Sequence, residues 1–367
     1  MARTSRDALE RWLAKLWWRD KPGLATRMHW LLWLLWPLSL AYRALARLAR
    51  KFVRPPTSGP APVVVVGNLV VGGAGKTPIV IALVRGLAAA GRRPGVISRG
   101  HGRRGSDVRP VTAASSPRDV GDEPLLIHRR TGVPVFVGRK RAEATAALCA
   151  AHPQIDVIVS DDGLQHPALA RVAEVIVFDD HGVGNGLLLP AGPLRQPMGA
   201  TAPPRAHVVY TGARPSTAWP GTVVPRTADR AWPLADWLRG ARTTSQPLAA
   251  LRGRPLTALA GIGAPEQFFV MLEAAGLSIE RLPMPDHADY AEVPWPLATR
   301  EVVTTEKDAV KLAALPAFAT PVWVLPLDCE LPLLLLRELL ALLPPAKPPT
   351  APPIVPPTAP PKNRLPA

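Results

Sequence analysis

The chain has 367 residues, 47% of them hydrophobic and 20% charged, with 44 Lys and Arg against 28 acids and a net charge of +16. That length suits two domains of ordinary size, and the composition excludes global disorder. The basic excess points to an anionic partner, nucleic acid or membrane, or to a solvated high-pI surface. Only two cysteines are present, Cys149 and Cys329, which excludes a disulfide framework or a four-cysteine zinc site and favours a reducing compartment.

The charge gathers at the start. Residues 1–54 carry 12 Lys/Arg and 3 acids around an apolar run of 13 residues, 30–42. A spanning helix needs about 20. Arg43, Arg47 and Arg50 follow at helical spacing, so the pattern predicts a membrane-associated helix over 1–54 that lies in the interface rather than crossing it. Trp30, Trp33 and Trp36 recur every third position and are expected near one face. A core helix and a true span that draws in Ala44–Ala49 are the alternatives. The run is followed by a basic segment instead of a small-residue cleavage site, which argues against a signal peptide. Nucleic acid is not favoured, because the Trp residues sit among aliphatic neighbours and not among basic ones.

Pro55-Pro56-Thr57-Ser58-Gly59-Pro60 reads as a linker. Apolar runs at 62–66, 95–98, 133–137, 155–160, 174–178 and 206–210 then predict strands, and 77–90, 122–131 and 139–151 predict helices. Such βαβ alternation predicts a doubly wound α/β sheet, with a first domain over 55–210. Residues 211–254 are rich in Pro, Arg and Trp and show no clear period. A second, smaller α/β domain is expected over 211–343, with strands at 256–260, 302–304 and 322–325 and helices at 265–275, 307–314 and 331–343. Residues 344–367 read as a Pro-rich disordered tail.

The strongest chemical signal runs from Gly67 to Pro78, Gly-Asn-Leu-Val-Val-Gly-Gly-Ala-Gly-Lys-Thr-Pro, between a predicted strand and a predicted helix. This is the setting of a phosphate-binding loop, as in a P-loop NTPase-like sheet. Glycines let backbone N–H groups approach phosphate, and the helix N-terminus adds positive potential. Asn68, Val70, Val71, Gly72, Gly73, Ala74, Gly75, Lys76 and Thr77 are therefore the candidate nucleotide-binding residues. Lys76 is expected to reach the β- and γ-phosphates of ATP, and Thr77 to hold Mg²⁺. The full pattern has Gly where this chain has Val70, so the match is to the Gly-Lys-Thr half. A second signal is the apolar strand that ends in Asp161-Asp162-Gly163, which brings carboxylates to the edge of the sheet where ligands and Mg²⁺ sit. A helix cap is the simpler reading of that pair. Gly121-Asp122-Glu123-Pro124 opens a helix, and adjacent carboxylates there also serve as plain capping groups.

These motifs occur in one order with Ser98-Arg99-Gly100-x-Gly102, Leu164-Gln165-His166, Leu189-Pro190-Ala191-Gly192-Pro193-Leu194-Arg195, Asp286-His287 and Thr304-Thr305-Glu306-Lys307-Asp308. In this the chain resembles the tetraacyldisaccharide 4'-kinase family of lipid A biosynthesis, over roughly residues 25–340. The resemblance implies ATP-dependent phosphorylation of the 4'-hydroxyl of a tetraacyl glucosamine disaccharide 1-phosphate, at the cytoplasmic face of the bacterial inner membrane. It implies two α/β domains with a cleft between them. It also implies Asp122 as the base for the sugar hydroxyl, His287 as its orienting partner, and Glu123 with Asp161 or Asp162 as Mg²⁺ ligands. Arg195 would stabilise charge on the transferring phosphoryl group, since a guanidinium matches phosphate oxygens in a planar fork.

Two positions depart from the family. Gln196 stands where the family has an acid after the Arg, and His101 stands where it has an aromatic between the glycines. Arg99, Arg103 and Arg104 form a basic patch that either meets the substrate's 1-phosphate or is a solvated face. The expected partners are the lipid A precursor and an anionic inner-membrane surface, with no nucleic acid and no obligate protein partner. A membrane-recruited P-loop ATPase that phosphorylates no lipid is the alternative function.

Overall fold

A strand of four valines has no solvent face, so it belongs inside a sheet that is covered on both sides. Val63–Gly67 (β1) is such a strand, buried throughout. The structure, a computed structural model, describes residues 13, 16–18, 29–53, 59–241, 243–286 and 288–346. In chain order the remaining strands of the first sheet are Pro94–Ser98 (β2), Arg109–Val111 (β3), Val135–Val137 (β4), Val157–Asp161 (β5), Ala173–Phe178 (β6), Ala206–Tyr210 (β7) and Thr222–Val223 (β8). The spatial order is β3-β4-β2-β5-β1-β6-β7-β8, parallel throughout except for β3. Chain order reverses at β1, with β5 on one side and β6 on the other. In open α/β sheets that switch point is where ligands bind, beyond the carboxyl ends of the strands.

Helices Lys76–Ala89 (α2), Asp122–Thr131 (α4) and Arg141–Ala151 (α5) begin within two residues of their expected starts. The short Pro117–Val120 (α3) precedes α4.

The second sheet orders as β10-β9-β14-β13-β11-β12. Its strands are Arg230–Pro233 (β9), Gln246–Pro247 (β10), Leu256–Ala260 (β11), Ile279–Pro283 (β12), Glu301–Thr305 (β13) and Val322–Leu325 (β14). Helices Leu234–Leu238 (α6), Pro265–Ala274 (α7) and Glu306–Leu312 (α8) accompany it. The unreadable stretch 211–254 divides between the two sheets. Its β8 closes the first, so that sheet runs past residue 210, and β9, α6 and β10 flank the second. The last helix, Leu333–Ala341 (α9), returns to the first core, where Leu335 and Leu339 are buried with α2. Strands β3, β8, β9 and β10 escaped the sequence reading because each has only two to four residues. Strand β12 escaped it because Ile-Glu-Arg-Leu-Pro is a largely exposed edge strand with no apolar run.

Helix His29–Lys51 (α1) has 23 residues and contains Pro37. It docks by polar contacts on the loop 188–195. The Ser39 hydroxyl donates to Leu188 O (2.9 Å) and accepts from Ala191 N–H (3.2 Å), and the Tyr42 hydroxyl donates to Arg195 O (2.8 Å). Leu34, Leu38, Leu45, Leu48 and, just past the helix, Phe52 are all more than half exposed. With Ala41 they share one face at 3.6 residues per turn. The exposed apolar stripe is therefore built on this leucine row. The side chains of Trp30 and Trp33 lie outside the described residues, and Trp36 is nearly half exposed. Among the described residues no helix is long and apolar enough to cross a membrane.

Candidate active site

Gly75 is the residue before α2 and has φ +71°, a left-handed conformation that glycine adopts without steric cost. A Cβ there would also meet Thr211 Oγ1 at 3.2 Å and Arg226 Nη1 at 3.4 Å. The tight turn aims the start of α2 into a cleft of about 1000 Å³ between the two sheets. Gly72, Gly73, Gly75, Lys76 and Thr77 line it. Val70 and Val71 do not. Their backbone is engaged by the neighbouring loop, through the Val70–Leu194 bridge and the bond from Val71 N–H to Pro193 O (2.9 Å). Asn68 and Ala74 are buried beneath the loop. Asn68 acts from there, its Oδ1 accepting from Lys76 Nζ (3.1 Å). Gln165 Nε2 donates to Asn68 O (3.1 Å) and fastens the Asp161–His166 segment to the loop.

Asp162 faces the same cleft with φ +51°, and its carboxylate lies 3.5 Å from Lys76 Nζ and 3.1 Å from Arg195 Nη1. Burial alone would raise its pKa, but the two cations hold it below the usual carboxylate range. Asp161 does not line the cleft. It is buried, accepts from Ser98 Oγ (2.9 Å), and its Oδ1 has no hydrogen-bond partner. Burial, reinforced by Glu123 and Asp162, pushes its pKa up to about 7. Between about pH 4 and 7 the folded state then holds a proton that the unfolded state has lost, so this group makes stability fall as pH rises. Asp161→Asn is expected to raise the Tm of the ligand-free protein at pH 8 by about 2–4 °C per kcal/mol recovered, with the gain gone by pH 4. Equal Tm values at pH 8, by calorimetry, would show Asp161 to be compensated.

Asp122 and Glu123 open α4. Gly121 before them has φ +92°, and a Cβ there would sit 3.1 Å from Gly100 Cα, so the 100–102 loop lies directly on the helix start. Asp122 is buried and its Oδ1 accepts from Glu123 N–H (3.0 Å), while Glu123 lines the cleft and pairs with Lys307. Burial would raise Glu123, but the Lys307 ammonium holds it low. Burial would lower Lys307, but Glu123, then Asp122 and Asp286, raise it. Lys307 belongs to the Thr-Thr-Glu-Lys-Asp motif, and its partner Glu123 is 184 positions away in the chain.

His287 lies outside the described residues. Its neighbour Asp286 lines the cleft, and a Cβ on Gly263 would lie 3.2 Å from Asp286 Oδ2 and 3.6 Å from Gly73 N. The ion pair of Arg118 with Asp289 (2.9 Å) ties the following residues to the element just before Asp122. Asp308, fully buried, accepts from Gly261 N–H (2.9 Å), Tyr290 OH (2.8 Å) and Thr305 Oγ1 (2.7 Å), which fixes these second-sheet loops. Of the basic patch, Arg103 is occupied by Asp107, and none of Arg99, Arg103 and Arg104 lines the cleft, although His101 does.

A parallel α/β sheet, a glycine loop at a helix start, and a cleft lined by carboxylates and cations are together the architecture of a phosphotransferase. The profile of the family described as tetraacyldisaccharide-1-P 4'-kinase matches residues 31–343. Tetraacyldisaccharide 4'-kinase of Leptothrix cholodnii is 49% identical, over 85% of this chain and 92% of its own. The enzyme of the same name from Methylibium petroleiphilum is 48% identical, over 88% and 90%. The crystal structure of LpxK from Aquifex aeolicus, titled as an "apo" form in complex with ATP, shares the fold with a TM-score of 0.67 at 24% identity, over 85% of this chain and 99% of that one. The chain belongs to the tetraacyldisaccharide-1-P 4'-kinase family.

Proposed function

We propose that this P-loop NTPase-like kinase transfers the γ-phosphate of ATP to the 4'-hydroxyl of a tetraacyl disaccharide 1-phosphate. The observation that carries the reading is the convergence on one cleft of Lys76, Glu123, Asp162 and Arg195 from the elements of the first sheet with Lys307 from the second. Lys76 and the backbone of Gly72–Thr77 hold the phosphates, and Arg195 steadies charge on the phosphoryl group in flight. Asp122 accepts the sugar hydroxyl proton, with His287 as its orienting partner. A carboxylate suffices as base where the transition state is loose and the proton leaves late.

The oxygens of Thr77, Glu123 and Asp162, with the orphaned Asp161 Oδ1 behind them, suit a hard cation such as Mg²⁺, which takes few carboxylates and keeps water. The cation neutralises phosphate charge when bound. Among the described residues no ready-made cage of three or more His, Cys, Asp or Glu exists, which fits an ion carried in with the nucleotide. Labelled ATP and the disaccharide lipid in detergent test the function. Lipid-dependent transfer is expected, and ATP hydrolysis indifferent to lipid would favour an ATPase instead.

The leucine stripe of α1 supports membrane attachment at the cytoplasmic face of the inner membrane. Leu34, Leu38, Leu45, Leu48 and Phe52 face solvent while Ser39 and Tyr42, on one flank of the helix, are held by the protein. Arg47 and Lys51 on the same helix are exposed. Each such charge near an anionic surface adds about 1 kcal/mol, and salt screens it. Alkaline carbonate or high salt is expected to release at least part of the protein from membranes, and Leu45→Glu with Leu48→Glu to release most of it. Full retention after carbonate, with residues 1–27 protected from protease, would mean a span.

A further inference from the structure

The four Lys and Arg side chains that line the cleft are Lys76, Arg195, Arg226 and Lys307. Three already have a carboxylate partner. Lys76 and Arg195 share Asp162, and Lys307 holds Glu123. Arg226 differs. Among the described residues it makes no ion pair, and its one hydrogen bond is from Nη2 to the neutral amide oxygen of Gln267 (3.4 Å). Its Nη1 sits 3.4 Å from where a Cβ on Gly75 would be, so the guanidinium lies against the last glycine of the phosphate loop.

Arg226 follows β8 of the first sheet and precedes β9 of the second. It is placed there by a built crossing. Thr227 N–H donates to Asp328 O (2.8 Å) and Asp328 N–H returns the bond to Thr227 O (2.9 Å), pairing the two connections that run between the sheets. Gln267, on α7 of the second sheet, approaches Arg226 on one side and His181 Nδ1 (3.3 Å) on the other. The guanidinium is thus held at the loop without being neutralised.

The loop itself has a gap that such a group fills. Backbone N–H groups of a phosphate loop and its helix start cradle the α- and β-phosphates. Here the third helical residue is Pro78, which has no N–H to give. Resting on the kinase reading, we propose that Arg226 is a further nucleotide-binding residue, donating to the polyphosphate of the nucleoside triphosphate from the crossing between the sheets. A guanidinium offers planar, charge-assisted donors suited to phosphate oxygens.

The test uses the full chain in detergent, with ADP and a non-hydrolysable ATP analogue titrated by calorimetry. Arg226→Ala is expected to weaken both by about 10–100-fold, the usual cost of a hydrogen bond to a charged group. The KM for ATP should rise while the KM for the lipid stays put. Arg226→Lys should recover part of the affinity, and Arg226→Gln should not. These two length-preserving variants carry the test if the alanine variant does not fold. The proposal is overturned by unchanged ADP affinity in Arg226→Gln, by Gln serving as well as Lys, or by Gln267→Ala weakening ADP as much as Arg226→Ala does, since Arg226 would then act only through that bridge. Wild-type protein that neither binds ADP nor transfers phosphate in the same assay undoes the kinase reading instead.

Discussion

Lys76→Ala is expected to abolish measurable phosphoryl transfer by a protein that still folds. Lys76 is nearly buried at the first position of α2, and its ammonium is steadied by Asn68 Oδ1 at 3.1 Å and Asp162 at 3.5 Å. It is therefore preorganised in a cleft where charge on the β- and γ-phosphates develops. Removing one such preorganised donor costs roughly 3–4 kcal/mol at the transition state, or about 10²–10³ in rate. The truncation also leaves Asp162 facing incoming phosphate with Arg195 as its remaining partner in this cluster, which adds repulsion. Turnover of labelled ATP with the disaccharide lipid reads the effect. Wild-type-like turnover in a folded Lys76→Ala protein would remove this loop from the reaction.

Asp122→Asn is expected to slow the chemical step by about 10²–10⁴-fold and to leave nucleotide binding nearly intact. The amide keeps the side chain's size, and its oxygen can still accept from Glu123 N–H, now 3.0 Å from Asp122 Oδ1. What it loses is the ability to take a proton. It also removes one of the three carboxylates that keep Lys307 charged, after Glu123 and beside Asp286. Single-turnover rates and the dissociation constant for ADP separate the two effects. If Asp122 and His287 act as one unit, Asp122→Asn with His287→Ala is no slower than the worse single variant. A large rise in the ADP constant with unchanged turnover would make Asp122 a binding residue.

These expectations rest on features of unequal legibility. The strand–loop–helix around Gly75 and Lys76 is local: four valines, a glycine turn and a largely apolar helix follow one another, so it can be read directly. The same holds for α4, found at 122–131 as expected, because Gly121, the paired acids and the apolar spacing all lie within one segment. Val70 and Val71, expected among the nucleotide-binding residues, do not line the cleft. Nothing near them in sequence reveals that the 193–195 segment would claim their backbone. Lys307 went without a role for the same reason, since its partner Glu123 is 184 positions away. Arg226 lay in a stretch without a period, where short strands and prolines hide both the crossing and its address.

The sequence by itself determined the alternation of strands and helices, the phosphate loop, the amphipathic character of the N-terminal helix and, through motifs in one order, the family. Those properties follow from side-chain period, glycine and proline placement and local charge, which act over a few residues. Only the tertiary structure decided which acid of the Asp161-Asp162 pair faces the cleft. Both sit at one strand end, and the left-handed turn at Asp162 (φ +51°) sends its carboxylate to Lys76 and Arg195 while Asp161 stays buried under Ser98. It also decided that α9 returns to the first core, that Lys307 neutralises Glu123, and that one cleft arginine keeps its charge free of carboxylates among the described residues. Each is a pairing between segments far apart in the chain. Such pairings are set by which apolar faces bury against each other and by which charges must then find partners in the space that remains.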